Sequence, residues 1–266
     1  MQSSFSSRFG IAIAIIILGA LLPPISSATI VEVETNLGTF QVNLYDTDTP
    51  ATVANFLAYV QDGNYSDSVI HRSVAGFIVQ GGGLTTDGNA TLSEITARAP
   101  VQNEPVFANV RGTIAMAKLA SGPDTATSQW FFNLSDNTAN LDNQNGGFTV
   151  FGQVIDDGMT VVDAIAAVPT FNNVFGLNDF PLQNYTPPNP LLNDNLVIIT
   201  SITVVSTDAD SAAGLNKPLT TRGDNNGGNN GGGTNLGGGG GGYFGLLSLI
   251  SLLVLGRRRY RSFKTA

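Results

Sequence analysis

The stretch from Val69 to Gly83 constrains the fold more than any other part of the chain. It holds two short apolar runs on either side of Ala75-Gly76, a pattern that predicts a β-hairpin whose alternate side chains face one side. Arg72 lies at the end of the first run, while Phe77 and Gln80 lie on the second. The hairpin would therefore place an arginine, an aromatic ring and an amide on one surface. The alternative is an ordinary hairpin whose arginine is solvated.

The composition excludes several kinds of functional site. The chain has 266 residues, no cysteine, a single histidine and a net charge of -8. The absence of cysteine excludes disulfides, thiolate metal sites and cysteine nucleophiles. The one histidine, His71, argues against a serine–histidine hydrolase and a histidine-rich metal site, and the net negative charge argues against a broad nucleic-acid surface. We therefore expect no metal, no cofactor and no nucleic-acid partner.

The N-terminal segment predicts export. Arg8 precedes the apolar run Ile11 to Leu22, and Ser26-Ser27-Ala28 supplies the small residues that a signal peptidase recognises. We expect a signal peptide over residues 1–28, cleaved after Ala28. The alternative is an uncleaved membrane anchor, since Pro23-Pro24 would break the helix close to that site.

The middle of the chain is predicted to contain strands and two helices. Strand-like runs occupy residues 29–34, 39–44, 111–118, 129–134, 148–154 and 196–205. With the two strands of the hairpin they make eight strands. One amphipathic helix begins at Thr49-Pro50 and ends at Gly63, and a second runs from Gly158 to Val168. Residues 84–109 and 170–195 lack sustained periodicity and predict surface loops.

Four further blocks follow the hairpin in a recognisable order. They are Gly112-Thr113-Ile114-Ala115-Met116-Ala117-Lys118, Ser128-Gln129-Trp130-Phe131-Phe132-Asn133, Leu141-Asp142, and Phe148 to Val154. With the hairpin, these blocks resemble the cyclophilin family of peptidyl-prolyl cis-trans isomerases over residues 29–205. The resemblance implies a mainly β fold, a closed eight-stranded antiparallel barrel capped by two α-helices. Because side chains fill such a barrel, its site must lie on an outer face.

The resemblance also implies a set of site residues. Arg72 would be catalytic, because a permanently charged guanidinium can donate a hydrogen bond to the proline nitrogen once the amide is twisted. Gln80 would orient the guanidinium, and His71 would occupy a packed position beside it. The substrate-binding residues would be Phe77, Ile78, Ala117, Lys118, Gln129, Phe131, Leu141 and Phe148.

Three of these residues depart from the family pattern. Ile78 replaces a methionine that is common in the family, a conservative change of shape. Lys118 stands where many members have asparagine, so one contact with the substrate backbone is expected to differ. Phe148 falls near the position of a pocket histidine, but the insertion Asn143 to Gly147 leaves that alignment open. The loop 170–195 is expected to have no role of its own, the alternative being a contact surface specific to part of the family.

The C-terminal part is predicted to lie outside the domain. Residues 206–242 are rich in glycine and asparagine and predict a flexible linker. Residues 243–266 contain a short apolar run and an arginine cluster, which predicts a cytoplasmic C-terminus. This tail resembles the glycine-glycine sorting signals of Gram-negative bacteria, which a rhomboid-type protease is thought to cut. The alternative is a permanent single-span anchor.

These observations predict a monomeric peptidyl-prolyl cis-trans isomerase that acts on X-Pro bonds of unfolded or exported polypeptides. It would work in the periplasm or at the cell surface of a Gram-negative bacterium, at least transiently anchored to the membrane. The alternative is a tethered, non-catalytic module of the cell envelope that binds proline-containing segments.

Overall fold

The computed structural model of the protein describes residues 28–208 and 211–222. The strands are β1 Ile30–Thr35, β2 Gly38–Leu44, β3 Ser68–Val69, β4 Arg72–Val74, β5 Ile78–Gly81, β6 Leu84–Thr86, β7 Leu92–Glu94, β8 Thr113–Met116, β9 Trp130–Asn133, β10 Val150–Val154, β11 Thr170–Phe171, β12 Phe180–Pro181 and β13 Ile198–Ser206. The helices are α1 Pro50–Gln61, α2 Thr138–Leu141 and α3 Met159–Ala166. Short 3-10 turns occur at Gln144–Gly146, Asp156–Gly158 and Asn193–Asn195. The fold is mainly β, as predicted.

Eleven of the strands form one antiparallel sheet in the order β4-β5-β9-β8-β10-β2-β1-β13-β3-β6-β7. The strands β3 and β4 lie far apart in this order, yet only Ile70 and His71 separate them along the chain. The sheet must therefore curl until its two parts meet. The predicted closed barrel of eight strands is not confirmed, because the sheet has eleven strands and, among the described residues, β4 and β7 do not pair.

Two differences in the strands explain the higher count. The single run predicted before Ala75 is divided into β3, which pairs with β13, and β4, which pairs with β5. The predicted surface loop 84–109 contains β6 and β7, which pair with each other. Strands of two or three residues show no alternation in sequence, so their pairing becomes visible only in the folded chain.

The two predicted helices are present. Pro50 begins α1, where a missing backbone N–H costs nothing, and the helix buries Val53, Phe56 and Tyr59. The helix α3 buries Val162 and Ile165 in the same core. The four-residue helix α2 was not predicted, because one turn carries no periodic signal.

The sheet separates two apolar clusters. On β9, Trp130 and Phe132 point into the main core, which also contains the buried residues of α1 and α3, whereas Phe131 points to the opposite side. On β5, Val79 belongs to the main core and Ile78 to the opposite side. This follows from the two-residue period of a strand. The opposite side is the outer face on which the sequence predicts the site.

The connection 170–195 is more ordered than a simple loop. The strands β11 and β12 form a short hairpin within it, and Leu177, Phe180 and Leu182 are buried against Val69 and neighbouring apolar residues. The Ser73 amide donates a hydrogen bond of 2.8 Å to the Asp179 carbonyl, which attaches the connection to β4. The connection therefore reaches the predicted site.

Residues 211–222 fall within the predicted flexible linker, but the structure places them against the domain. Phe107 and Leu219 form an isolated β-bridge, and the Ala108 amide donates to the Pro218 carbonyl at 2.9 Å.

No helix in residues 28–208 or 211–222 is long and apolar enough to cross a membrane. The predicted signal residues 1–27 and the tail 243–266 lie outside the described residues.

Candidate active site

The predicted hairpin forms from β4 and β5, and its register places Arg72 opposite Gln80. Next to β5, the strand β9 places Phe131 opposite Gln80, and β8 places Ala115 opposite Phe131. Opposite residues of an antiparallel pair share one face of the sheet. Arg72, Gln80 and Phe131 therefore form a row across three strands on the outer face.

The Arg72 side chain is only 15% exposed, and burial lowers the pKa of its guanidinium from the usual value. The Asp179 carboxylate acts in the opposite direction, with Oδ2 at 3.8 Å from Nε of Arg72. Within the described part of the chain, Nη1 of Arg72 is buried and has no hydrogen-bond partner. The arginine thus has an ion pair on its Nε side and a buried, unpaired N–H group at Nη1.

Gln80 lies beside Arg72, but its amide has a different partner from the one predicted. Its Nε2 donates a hydrogen bond of 2.9 Å to Oε1 of Gln129, and its buried Oε1 has no partner among the described residues. The orienting contact between Gln80 and Arg72 is therefore absent in this state. The Gln80–Gln129 bond joins two of the predicted site residues.

The predicted pocket residues come together beside this row. Ile78, Phe131, Leu141 and Phe148 are buried in one apolar cluster, and Phe77 packs against its edge. Ala117 belongs to the same cluster, and the rings of Phe131 and Phe148 meet edge to face at 5.8 Å between centroids. These residues form an apolar cluster next to the unpaired Nη1 of Arg72.

Comparison with known proteins identifies the family. The family model "Cyclophilin type peptidyl-prolyl cis-trans isomerase/CLD" matches residues 30–186. The chain belongs to this family. A peptidyl-prolyl cis-trans isomerase of Acinetobacter baylyi is 43% identical over 162 residues, which cover 59% of this chain and 83% of that protein. Peptidyl-prolyl cis-trans isomerase A of Dickeya dadantii is 37% identical over 193 residues, which cover 70% of this chain and 94% of that protein.

A solved structure supports the same assignment. The crystal structure of a Cryptosporidium parvum cyclophilin type peptidyl-prolyl cis-trans isomerase has a TM-score of 0.50 and 25% identity, covering 68% of this chain and 99% of that one. The protein is a cyclophilin-type peptidyl-prolyl cis-trans isomerase.

Lys118 was predicted to line the substrate groove of this cyclophilin, but its side chain points elsewhere. Its side chain is 6% exposed, and Nζ donates hydrogen bonds to the carbonyls of Asn145, at 2.7 Å, and Gly147. Nζ also lies 4.8 Å from the centre of the Phe148 ring. Burial lowers the pKa of Lys118 to about 8. Lys118 therefore supports the inserted loop next to Phe148.

His71 is buried next to Gln80, and its backbone N–H donates a hydrogen bond of 3.2 Å to the Gln80 carbonyl. The side chain is 2% exposed, and burial lowers its pKa to about 4, so it is neutral near pH 7.

In the described part of the chain, no group of three or more histidine, aspartate or glutamate residues could hold a metal ion.

Sequence reasoning missed two parts of the site. Asp179 lies in the long connection, where no motif indicated a role, and only the attachment of that connection to β4 brings it to Arg72. Tyr45, Phe107 and Val150 also belong to the pocket cluster, and they come from the residue after β2, a loop and β10. The period-2 pattern of β10 could have indicated Val150, whereas Phe107 lies in an irregular segment with no such signal.

Proposed function

We propose that this cyclophilin isomerises X-Pro bonds of exported polypeptides, with Arg72 stabilising the twisted amide. Resonance between the nitrogen and the carbonyl gives the planar amide a rotation barrier of about 18–20 kcal/mol. Twisting removes that resonance and leaves a lone pair on the proline nitrogen, which can accept a hydrogen bond. A donor that contacts only the twisted state lowers the barrier. The buried, unpaired Nη1 of Arg72 is the observation that carries the proposal.

The surroundings of Arg72 suit this role. Asp179 holds the Nε side of the guanidinium, so the donor does not have to be reorganised when the amide twists. The cluster of Phe77, Ile78, Phe131 and Phe148 would hold the proline ring, and Gln80 and Gln129, joined by their hydrogen bond, would line the adjoining groove. Leu141 completes the pocket floor, Ala117 borders the groove, and no cofactor is needed.

The test is the rate of cis-to-trans conversion of a short X-Pro peptide in the presence of the wild type, Arg72→Ala and Arg98→Ala. Arg98 is a matched control because it is exposed and pairs with Asp62, away from the site. Loss of a transition-state donor is expected to lower kcat/KM at least about 100-fold in Arg72→Ala. Arg98→Ala should retain wild-type activity. Equal activity of all three proteins would refute the role of Arg72.

The exported context rests on the sequence patterns of residues 1–28 and 243–266. The proposal includes a cleaved signal, anchoring to the membrane through the C-terminal segment, processing by a rhomboid-type protease, and a monomer at the periplasmic or outer cell surface. N-terminal sequencing and fractionation of the expressed protein test it. A mature chain that starts at Thr29 in the envelope fraction would support export, and an intact Met1 in the cytoplasmic fraction would refute it.

A further inference from the structure

We propose that residues 211–222, the C-terminal strap, position the loop 143–147, the pocket loop, and so shape the proline pocket. The pocket loop joins Leu141-Asp142 to Phe148, and both Leu141 and Phe148 are buried in the pocket cluster. The inference rests on the proposed function, because it takes that cluster as the proline site. The strap lies outside the residues 30–186 that the family model matches.

The strap is attached first through its backbone. The Ala108 amide donates to the Pro218 carbonyl at 2.9 Å, and the Thr220 amide donates to the Val106 carbonyl at 3.0 Å. These two bonds flank the bridge between Phe107 and Leu219. Phe107 belongs to the pocket cluster, and Leu215 of the strap packs against the same cluster, so the strap contacts the cluster directly.

A charged side chain anchors the same segment. Nζ of Lys217 lies 2.6 Å from Oδ2 of Asp48, with side chains that are 25% and 32% exposed. It also lies 5.4 Å and 5.6 Å from the ring centres of Tyr45 and Phe107. Ion pairing and contact with two ring faces of the pocket cluster hold the strap in register.

The strap completes the hydrogen bonds of Asp142, a carboxylate that is 1% exposed. Its Oδ1 accepts from the backbone amide and from Nδ2 of Asn109, both at 3.0 Å. Its Oδ2 accepts from the Thr221 amide at 2.9 Å and from Oγ1 of Thr221 at 3.3 Å. A buried carboxylate oxygen without donors is costly, so Thr221 fixes the residue next to Leu141.

The end of the strap binds the pocket loop directly. Nη1 of Arg222 donates a hydrogen bond of 2.8 Å to the Gly146 carbonyl, which also accepts from Nδ2 of Asn103 at 3.1 Å. Lys118 donates a hydrogen bond to the next carbonyl, that of Gly147. Strap and domain thus secure adjacent peptide groups of the loop that leads into Phe148.

The test uses the full chain with both anchors removed, Lys217→Ala together with Arg222→Ala. Losing both hydrogen-bonded charges should lower kcat/KM about 5-fold, which corresponds to about 1 kcal/mol. We expect most of this as a higher KM for the X-Pro peptide, because the pocket and not the arginine is disturbed. Leu219→Ala is the matched control within the strap, since its side chain is 70% exposed. Restoring a donor with Lys217→Ala and Arg222→Lys should recover part of the loss.

Hydrogen exchange of residues 142–148 supplies a readout that does not depend on catalysis. The double variant should exchange about 10-fold faster there than the wild type, and Leu219→Ala should not. Unchanged exchange and unchanged KM in the double variant would overturn the role of the strap, even if Arg72→Ala is inactive. Faster exchange in a protein whose wild type shows no isomerase activity would support the strap contact and refute the proposed function.

Discussion

The single histidine is expected to make folding stability depend on pH in a predictable way. His71 is 2% exposed, and burial lowers its pKa from 6.5 to about 4, outweighing the opposite effects of the Val69 backbone and the Gln129 side chain. The unfolded chain therefore binds a proton near pH 6.5 that the folded chain does not accept until about pH 4. Stability is fully present above pH 6.5 and is lost as the pH falls towards 4.

The size of the loss follows from the shift. At about 1.4 kcal/mol for each pKa unit, lowering the pH from 7 to 4 should remove about 3 kcal/mol from the free energy of unfolding. Domains of this size have a total of about 5–15 kcal/mol, so the loss would be easy to detect.

The assay is denaturant unfolding between pH 7 and pH 4, followed by the fluorescence of Trp130, the one tryptophan, which is 1% exposed. The wild type is compared with His71→Gln, whose side chain does not titrate. Carboxylates titrate in both proteins, so their contribution cancels in the difference. The difference in unfolding free energy should change by about 3 kcal/mol over this range. A difference that stays constant with pH would refute the reasoning, and His71→Asn repeats the comparison if His71→Gln does not fold.

Two further predictions concern positions that the structure singled out. Asp179→Asn should lower kcat/KM about threefold to tenfold without changing the melting temperature, because the Arg72 guanidinium loses its Nε partner. The control Asp194→Asn, at an exposed position in the same connection, should have no effect. Equal activities of the two variants would show that Asp179 does not orient Arg72. Gly82→Ala should lower the free energy of unfolding by about 2 kcal/mol more than Gly88→Ala, as measured by denaturant titration. Both glycines have positive φ. A Cβ added at Gly82 would lie 2.6 Å from the Ser128 carbonyl oxygen, whereas a Cβ added at Gly88 would have no atom within 4 Å.

The hairpin and its site residues were predictable because their signals are local. Period-2 alternation around Ala75-Gly76 predicts the two strands, and the spacing from Arg72 to Gln80 places both in one register once the turn is made. The partner of the Gln80 amide was not predictable in this way. Gln129 comes from β9, and only the pairing of β5 with β9 brings the two amides together.

The flexible linker was predicted from its composition. Composition indicates the conformational preference of an isolated segment, but not its contacts with distant parts of the chain. The strap residues 211–222 have few apolar side chains and no periodicity, yet they are bound by Asp48, Val106, Asp142 and Gly146. These partners lie far away in sequence, so no window along the chain contains both sides of the contact.

The sequence by itself determined the family, the mainly β fold, the two main helices and the central hairpin, because each depends on a local period or a contiguous motif. The tertiary structure alone decided that the sheet is curled with eleven strands, that Asp179 meets Arg72, that Lys118 supports a loop, and that the strap contacts the pocket cluster. The physical reason is that these contacts join groups distant along the chain, whose pairing depends on how the whole sheet closes around its core.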